Sequence, residues 1–351
     1  MARFWPYALY FTIYYAVYSW HGLFKEGTNA VKREMRHGGG DVSRSYSAKI
    51  IPFITRKAFM TASSYKTGSV GAKFTLPYRC FLQNDSGQVI SPFHDVPLFH
   101  DEAAGILNMV VEVPRFSNAK LEISKDEAMN PIKQDVKKGA LRFVKNCFPF
   151  HGYLWNYGAF PQTWESPAVM DAHTGLRGDN DPIDVIEVGS AIAAVGEVKQ
   201  VKVLGALAML DEGETDWKII AIDVRDPLAG QLHDAADLDV VCPGLLDSTR
   251  TWFRVYKIPD GKPANSFAFD GAVQDRAFAL QVIGEVHAMW RQLVSGTVPA
   301  ETSEYKISIM NQCCDVGPKP DSASLPTLSQ AISDAALPES VNGWSYIPPS
   351  I

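Results

Sequence analysis

The stretch Gly178-Asp179-Asn180-Asp181-Pro182-Ile183-Asp184-Val185 constrains this chain more than any other. Three carboxylates fall within six residues, and apolar Ile186 and Val188 follow. In an extended chain, residues two apart share a face, so Asp179 and Asp181 are expected to point the same way. Pro182 cannot donate to a ladder and bends the path, which returns Asp184 towards the first two. Like charges this close resist ionising together unless cations sit among them. An all-oxygen donor set without His or Cys favours Mg2+, Mn2+ or Ca2+ over Zn2+. Two plainer readings compete. A short acidic run is often a solvated turn. An EF-hand calcium loop fails on spacing: counting from Asp179, position 5 is Ile183 and position 6 is Asp184, where a ligand oxygen and a glycine are required.

The rest of the chain decides between a turn and a cation site. At 351 residues, one large domain or two ordinary ones are allowed. The chain carries 33 Lys and Arg against 39 Asp and Glu, which argues against nucleic acid as a ligand, since phosphate contacts need a basic footprint. The charge is uneven. Residues 1–57 hold nine basic and three acidic side chains, leaving 24 basic against 36 acidic in the remainder. An acidic body that binds an anion needs metal ions to do so. Cys80, Cys147, Cys242, Cys313 and Cys314 are odd in number and include no CxxC pair. They form neither a disulfide framework nor a zinc ribbon, and a reducing compartment is the simplest reading.

Residues 4–24 contain no Lys, Arg, Asp or Glu and are rich in Tyr, Phe and Trp. That length can span a bilayer, although Pro6, His21 and the tyrosines weaken such a reading. Residues 1–58 are expected to be an extension, either a targeting or anchor segment or one the fold does not need. The folded body is expected from about Lys73. Tyr78–Leu82 and Gln88–Ile90 flank Asn84-Asp85-Ser86-Gly87 as a hairpin. Met109–Val113 and Lys120–Ile123 read as strands, with Lys120 and Glu122 on one face. Leu141–Val144 alternates similarly, and Tyr153 and Tyr157 lie four apart in an aromatic segment. Val198–Leu210 and Trp217–Ile222 flank an acidic turn, a hairpin carrying Asp211 and Asp216 at its tip. Two late helices are expected. One opens at Pro243-Gly244 and ends at Tyr256-Lys257, and the other runs through Phe278, Val282, Val286, Met289 and Leu293. From about Pro318 the composition suggests a loosely packed tail with one short helix at 328–336, and with Trp344 and Tyr346 able to dock on the body. Many short strands and two late helices indicate a mainly β, α+β chain: a small barrel with helices outside.

Taken together, several blocks resemble the soluble family I inorganic pyrophosphatases of the longer eukaryotic type. They are Val111-Glu112-Val113-Pro114-Arg115, Asn118 to Glu122, Leu141 to Val144, His151 to Gly158, Gly178 to Val185, Asp211 to Lys218 and Trp252 to Lys257, in the family's order. The resemblance spans roughly Gly71 to Val294. Met60-Thr61-Ala62 resembles the start of the shorter cytosolic members. Phe116 and Phe150 depart from residues usual in the family. The resemblance implies a five-stranded OB-like closed barrel with flanking helices and a homodimer. A catalytic domain is expected at 59–310, followed by a Pro/Ser-rich C-terminal tail at 311–351.

It also implies Mg2+-dependent hydrolysis of pyrophosphate to two phosphates, with several metal ions per site and Mn2+ as a substitute. By carry-over, Asp179, Asp184 and Asp216 hold the first metal. Asp184 reaches the second, and Asp211, Asp216 and Glu122 serve metals that arrive with substrate. Asp181 is the general base, and Tyr153 a proton donor. Lys120, Arg142, Tyr157, Tyr256 and Lys257 are the phosphate-binding positions. Glu112, Lys218 and Asp226 are expected behind them. The resemblance is to cytoplasmic members, with mitochondrial targeting or membrane tethering by residues 4–24 as alternatives. No GxxxxGK[ST], HExxH or GxSxG motif is present. Two other readings stand against the enzyme: a pyrophosphatase-fold scaffold in a larger assembly, and a calcium-binding module without turnover. For the enzyme, Ca2+ is expected to inhibit, because its looser coordination misplaces the water.

Overall fold

Two long strands, joined by a two-residue turn, organise the fold. The computed structural model describes residues 65–298, 305–329 and 332–348. The labelled strands are β1 (Lys66–Val70), β2 (Arg79–Gln83), β3 (Val89–Ile90), β4 (Ile106–Val113), β5 (Leu121–Ile123), β6 (Ile132–Gln134), β7 (Asn156–Ala159), β8 (Asp184–Glu187), β9 (Val198–Asp211) and β10 (Glu214–Asp223). The helices are α1 (Ala235–Val241), α2 (Leu245–Val255) and α3 (Arg276–Ser295). The architecture is mainly β with few helices.

β9 and β10 form an antiparallel hairpin closed by Glu212 and Gly213, both at positive φ (50° and 95°). Two left-handed residues match the right-handed strand twist, which makes this the tight turn expected between Asp211 and Asp216. β10 also pairs in parallel with β8, β8 with β7, β7 with β4, and β4 with β9. Each of these five strands therefore has two neighbours in the circuit. A second sheet runs β1-β2-β6-β5, with β3 on β2. The expected hairpin at Tyr78–Ile90 is the β2–β3 pair, its turn held by the Asn84 side chain accepting from the amides of Ser86 and Gln88. The body begins earlier than Lys73, because β1 pairs along its whole length with β2.

β10 is buried on both faces. Ile220 and Ile222 join one core cluster with Leu204, Leu207 and Met209, while Ile219 and Ala221 join another with Val185, Val201 and Val203. A strand covered on both sides needs a continuous apolar run, which is why Trp217–Ile222 does not alternate cleanly. Each buried Ile or Leu contributes about 2 kcal/mol. α3 lays Ala279, Val282, Ile283 and Val286 against the second cluster. It starts at the Asp275 cap, which accepts from the Phe278 amide, and stops at Gly296 with φ 69°. α2 contributes Leu246, Trp252 and Phe253 to the first cluster.

Three further expectations needed correction. α1 is a third helix, opened by an Asp234–Asp237 capping box. The helix expected at 328–336 does not form among the described residues, and Ser329 instead bridges to Ser69. The C-terminal region is also more firmly tied than its composition suggests. Asp95 accepts from the amides of Gln312 and Cys313, and Trp344-Ser345 pairs in parallel with Asn146-Cys147. No helix among the described residues is long and apolar enough to cross a membrane, and the 4–24 segment lies outside them.

Candidate active site

The acidic motif is a loop between two strand ends. Asn180 sits at φ 70°, and the Asp181 amide donates to Asp179 Oδ1 at 3.0 Å. Asp179 and Asp181 thus converge through an Asx turn, not through the strand alternation expected. The loop zips onto the segment 160–165. Phe160 N donates to Ile183 O, Glu165 N to Asp181 O and Asn180 N to Glu165 O, while Trp164 Nε1 donates to Asn180 Oδ1 at 3.0 Å. Gly178 permits this approach: a Cβ there would lie 2.5 Å from the Glu165 carbonyl.

Asp184 begins β8, Asp216 and Lys218 share one face of β10, and Asp211 ends β9. Tyr157 comes from β7, Glu112 from β4, Lys120 and Glu122 from the β5 edge, and Tyr256 and Lys257 from the end of α2. With Arg142, Tyr153, Asp179 and Asp181, they line one cavity of about 210 Å3. Fourteen of the fifteen expected site positions therefore meet. Lys120 and Glu122 face this cavity and pair with each other. Asp226 is the exception. Its carboxylate accepts from Ser190 N and Leu228 N beside a different recess, so it does not stand behind the site.

Eight carboxylates of the cavity face four cationic side chains. Lys218 contacts Asp184 and Asp216, and Lys257 contacts Asp211. The Tyr157 hydroxyl donates to Asp184. Arg142 is braced by Asp135 at 3.1 Å, and its carbonyl accepts from Gln134 and from the Lys120 amide. Tyr153 packs at 5.1 Å from the Tyr157 ring, and Tyr256 stacks on Trp252.

Four lysines and arginines do not neutralise the cavity. Burial, then Asp181 and Asp216, holds the Asp179 carboxyl well above its usual range. Burial, then Asp184, raises Glu112 to about 8. Burial also raises Asp216, partly offset by Lys218. The phenols of Tyr153, Tyr157 and Tyr256 are pushed up by burial and stay protonated as donors.

Glu165 is a candidate metal-holding residue that the sequence reading did not single out. Its carboxylate oxygen lies within 4.8 Å of oxygens from Asp179 and Asp216. Burial, then Asp179 and Asp216, drives its pKa well up. Its Oε2 and Asp211 Oδ1 are buried and have no hydrogen-bond partner among the described residues. Buried carboxylate oxygens without donors fit a divalent cation. One signal was available: Glu165 is the single Asp, Glu, Lys or Arg between Lys145 and Asp171.

Comparisons with known proteins agree with this geometry. A family model described as inorganic pyrophosphatase matches residues 109–291. The chain is 55% identical over 286 residues to the inorganic pyrophosphatase of Eremothecium gossypii, covering 81% of this chain and 98% of that one. The solved inorganic pyrophosphatase of Schistosoma japonicum matches with TM-score 0.75 and 43% identity, covering 81% of this chain and 100% of that chain. An N-terminally truncated vacuolar soluble pyrophosphatase of Trypanosoma cruzi, solved in complex with PPi, matches with TM-score 0.62 and 39% identity, over 74% and 98% of the two chains.

Proposed function

The chain belongs to the inorganic pyrophosphatase family, hydrolases that split pyrophosphate into two phosphates, and we propose that it does so with Mg2+ in the cavity described above. The observation that carries this reading is the surplus of carboxylates over cations, with two buried carboxylate oxygens unpaired. Family membership implies a divalent metal. Asp179, Asp184 and Asp216 would hold the first ion, with Glu165 beside them. Asp184 would reach a second, and Asp211, Asp216 and Glu122 would serve ions arriving with pyrophosphate; Mn2+ can substitute. Bound there, the ions lower the pKa of water and neutralise phosphate charge.

The protein's own groups do the rest. Asp181 orients the attacking water and takes its proton. Lys120, Arg142, Tyr157, Tyr256 and Lys257 bind phosphate oxygens. The planar Arg142 fork, fixed by Asp135, binds two oxygens at once. Tyr153 donates towards the leaving phosphate, where charge develops. Burial holds this phenol protonated, which suits a hydrogen-bond donor to that charge and opposes full proton transfer. Glu112 accepts from the Ile123 amide at 2.6 Å and steadies the strand that carries Glu122. Lys218 holds Asp184 and Asp216 apart from full repulsion.

The ring of five paired strands supports a closed, OB-like barrel with flanking helices. A homodimer is supported by exposed aromatics. Phe148 is 60% exposed and lies against Trp344 and Tyr346, with Phe116 also open. Five free thiols suit a cytoplasmic setting. We take 59–310 as the catalytic domain, with 1–58 and 311–351 as extensions.

Phosphate release from pyrophosphate with Mg2+, comparing the intact chain with Asp181→Asn, tests the reaction and the base together. Rapid release that collapses in the variant supports both. Absence of release with Mg2+ or Mn2+ overturns the reaction, and an active variant overturns the base.

A further inference from the structure

Asp181 is held by a lysine from outside its own motif. Lys125 Nζ lies 2.5 Å from Asp181 Oδ1. The carboxylates next to Lys125 in sequence are committed elsewhere. Asp126 pairs with Lys133 at 2.9 Å, and Glu127 with Arg79 at 2.6 Å and Lys133 at 3.1 Å. Lys125 is not among the four cations that line the cavity. Among the described residues its ion pair is with Asp181, and through that pair it meets the reaction.

The backbone of Lys125 is fixed by the C-terminal region. Its carbonyl accepts from the Ser308 amide at 2.7 Å. Ser308 is fixed in turn. Its carbonyl accepts from the buried Asn130 side chain at 3.1 Å and lies 3.0 Å from His94 Nε2. Trp290 Nε1 donates to His94 Nδ1 at 2.9 Å, so the proton of the neutral ring is on Nε2, and that nitrogen donates to Ser308. Asn130 also donates to Ser124 O at 3.0 Å and accepts from Ser91 Oγ at 2.7 Å. Lys125 thus stands at the end of a buried network that runs from α3 through the C-terminal segment.

We propose that Lys125 is a positioning residue for Asp181, and that the segment at Ser308 sets the place from which it acts. The proposal rests on the reading of Asp181 as the general base. One ion pair fixes which carboxylate oxygen is engaged and leaves the other for the water. A carboxylate free to rotate would spend less time in the reactive geometry, a loss in turnover and not in substrate affinity.

Steady-state phosphate release by the full chain, with pyrophosphate and Mg2+, tests this. Lys125→Met is expected to lower kcat about tenfold with KM within about twofold, a part of the roughly 10²-fold or more that a general base supplies. Lys125→Arg is expected to restore most of kcat. In the Asp181→Asn background, Lys125→Met is expected to add no further loss. Ser308→Pro, which deletes the amide donor, is expected to lower kcat in the same sense and to add nothing to Lys125→Met. A wild-type kcat in Lys125→Met overturns the proposal, as does an effect on KM alone or a full multiplicative loss beside Asp181→Asn. An inactive Asp181→Asn with a fully active Lys125→Met means that positioning alone has failed. An active Asp181→Asn means that the base reading has failed and takes this proposal with it.

Discussion

Asp184 and Asp216 stand at one end of β8 and β10, and Glu187 and Asp223 at the other. Both ends bury charge, yet they treat it differently. At the far end the two carboxylates are answered. Glu187 accepts from Asn156, Gly189 N and Asp223 N. Lys199, buried to 2% side-chain exposure, pairs with Asp223 at 2.7 Å, and Arg225 grips both Asp223 oxygens. Burial raises the Asp223 carboxyl, but Arg225 and Lys199 outweigh it and leave it at about 2. At the cavity end, Asp179, Glu165 and Asp216 are driven the other way, and oxygens of Glu165 and Asp211 have no donor. A completed network contributes to the fold. An uncompleted one can hold cations that the chain does not supply.

The comparison can be broken most sharply at Asp184. Asp184→Asn is expected to lower Mg2+-dependent phosphate release roughly 10³-fold, several kcal/mol of transition-state stabilisation, while the metal-free protein stays folded by circular dichroism. At the other end, Lys199→Met is expected to cost about 3 kcal/mol of stability in urea denaturation, because it leaves a buried carboxylate short of a partner, while Mg2+ binding persists. A loss of Mg2+ binding in that variant would mean the two ends are not separate.

The two ends also respond to pH with opposite sign. Glu112 rises from 4.5 to about 8 on folding. The folded state therefore keeps the proton longer than the unfolded one. Its contribution to stability is present below pH 4.5 and is lost as pH rises to about 8. Asp223 falls from 3.8 to about 2, so its contribution is present above pH 3.8 and is lost as pH falls through 2. In metal-free protein, Glu112→Gln is expected to flatten the decline of Tm towards pH 8, and Asp223→Asn the acid limb. Equal effects on both limbs would contradict the assignment. The smallest effect is expected at Asp226. Asp226→Asn should leave phosphate release within about twofold and cost about 1 kcal/mol through its lost amide contacts.

The site was legible in sequence wherever its residues cluster. Asp179, Asp181 and Asp184 announce themselves by density, and Asp211 and Asp216 by an acidic turn between two apolar runs. The reason given for Asp179 and Asp181 was wrong in detail, since a left-handed Asn180 and an Asx turn replace the strand. Glu165 was marked only by its isolation among uncharged residues, because its partners lie across a loop pairing that no periodicity encodes. Asp226 was misplaced because it shares the acidity of the site without its location. α1 was missed because only Ala235 and Leu238 of its seven residues are buried, too few for a helical stripe. The C-terminal region was misread for a related reason. Its anchors are backbone groups meeting His94, Asp95 and Asn130, more than a hundred residues away.

The most direct test of the uncompleted end is calorimetric titration of the substrate-free protein with Mg2+, comparing the intact chain with Asp179→Asn and Asp223→Asn. Saturable binding that Asp179→Asn abolishes and Asp223→Asn retains is the predicted result. No binding to the intact chain, or equal binding to all three proteins, would contradict the claim that the acidic cavity end is the metal site.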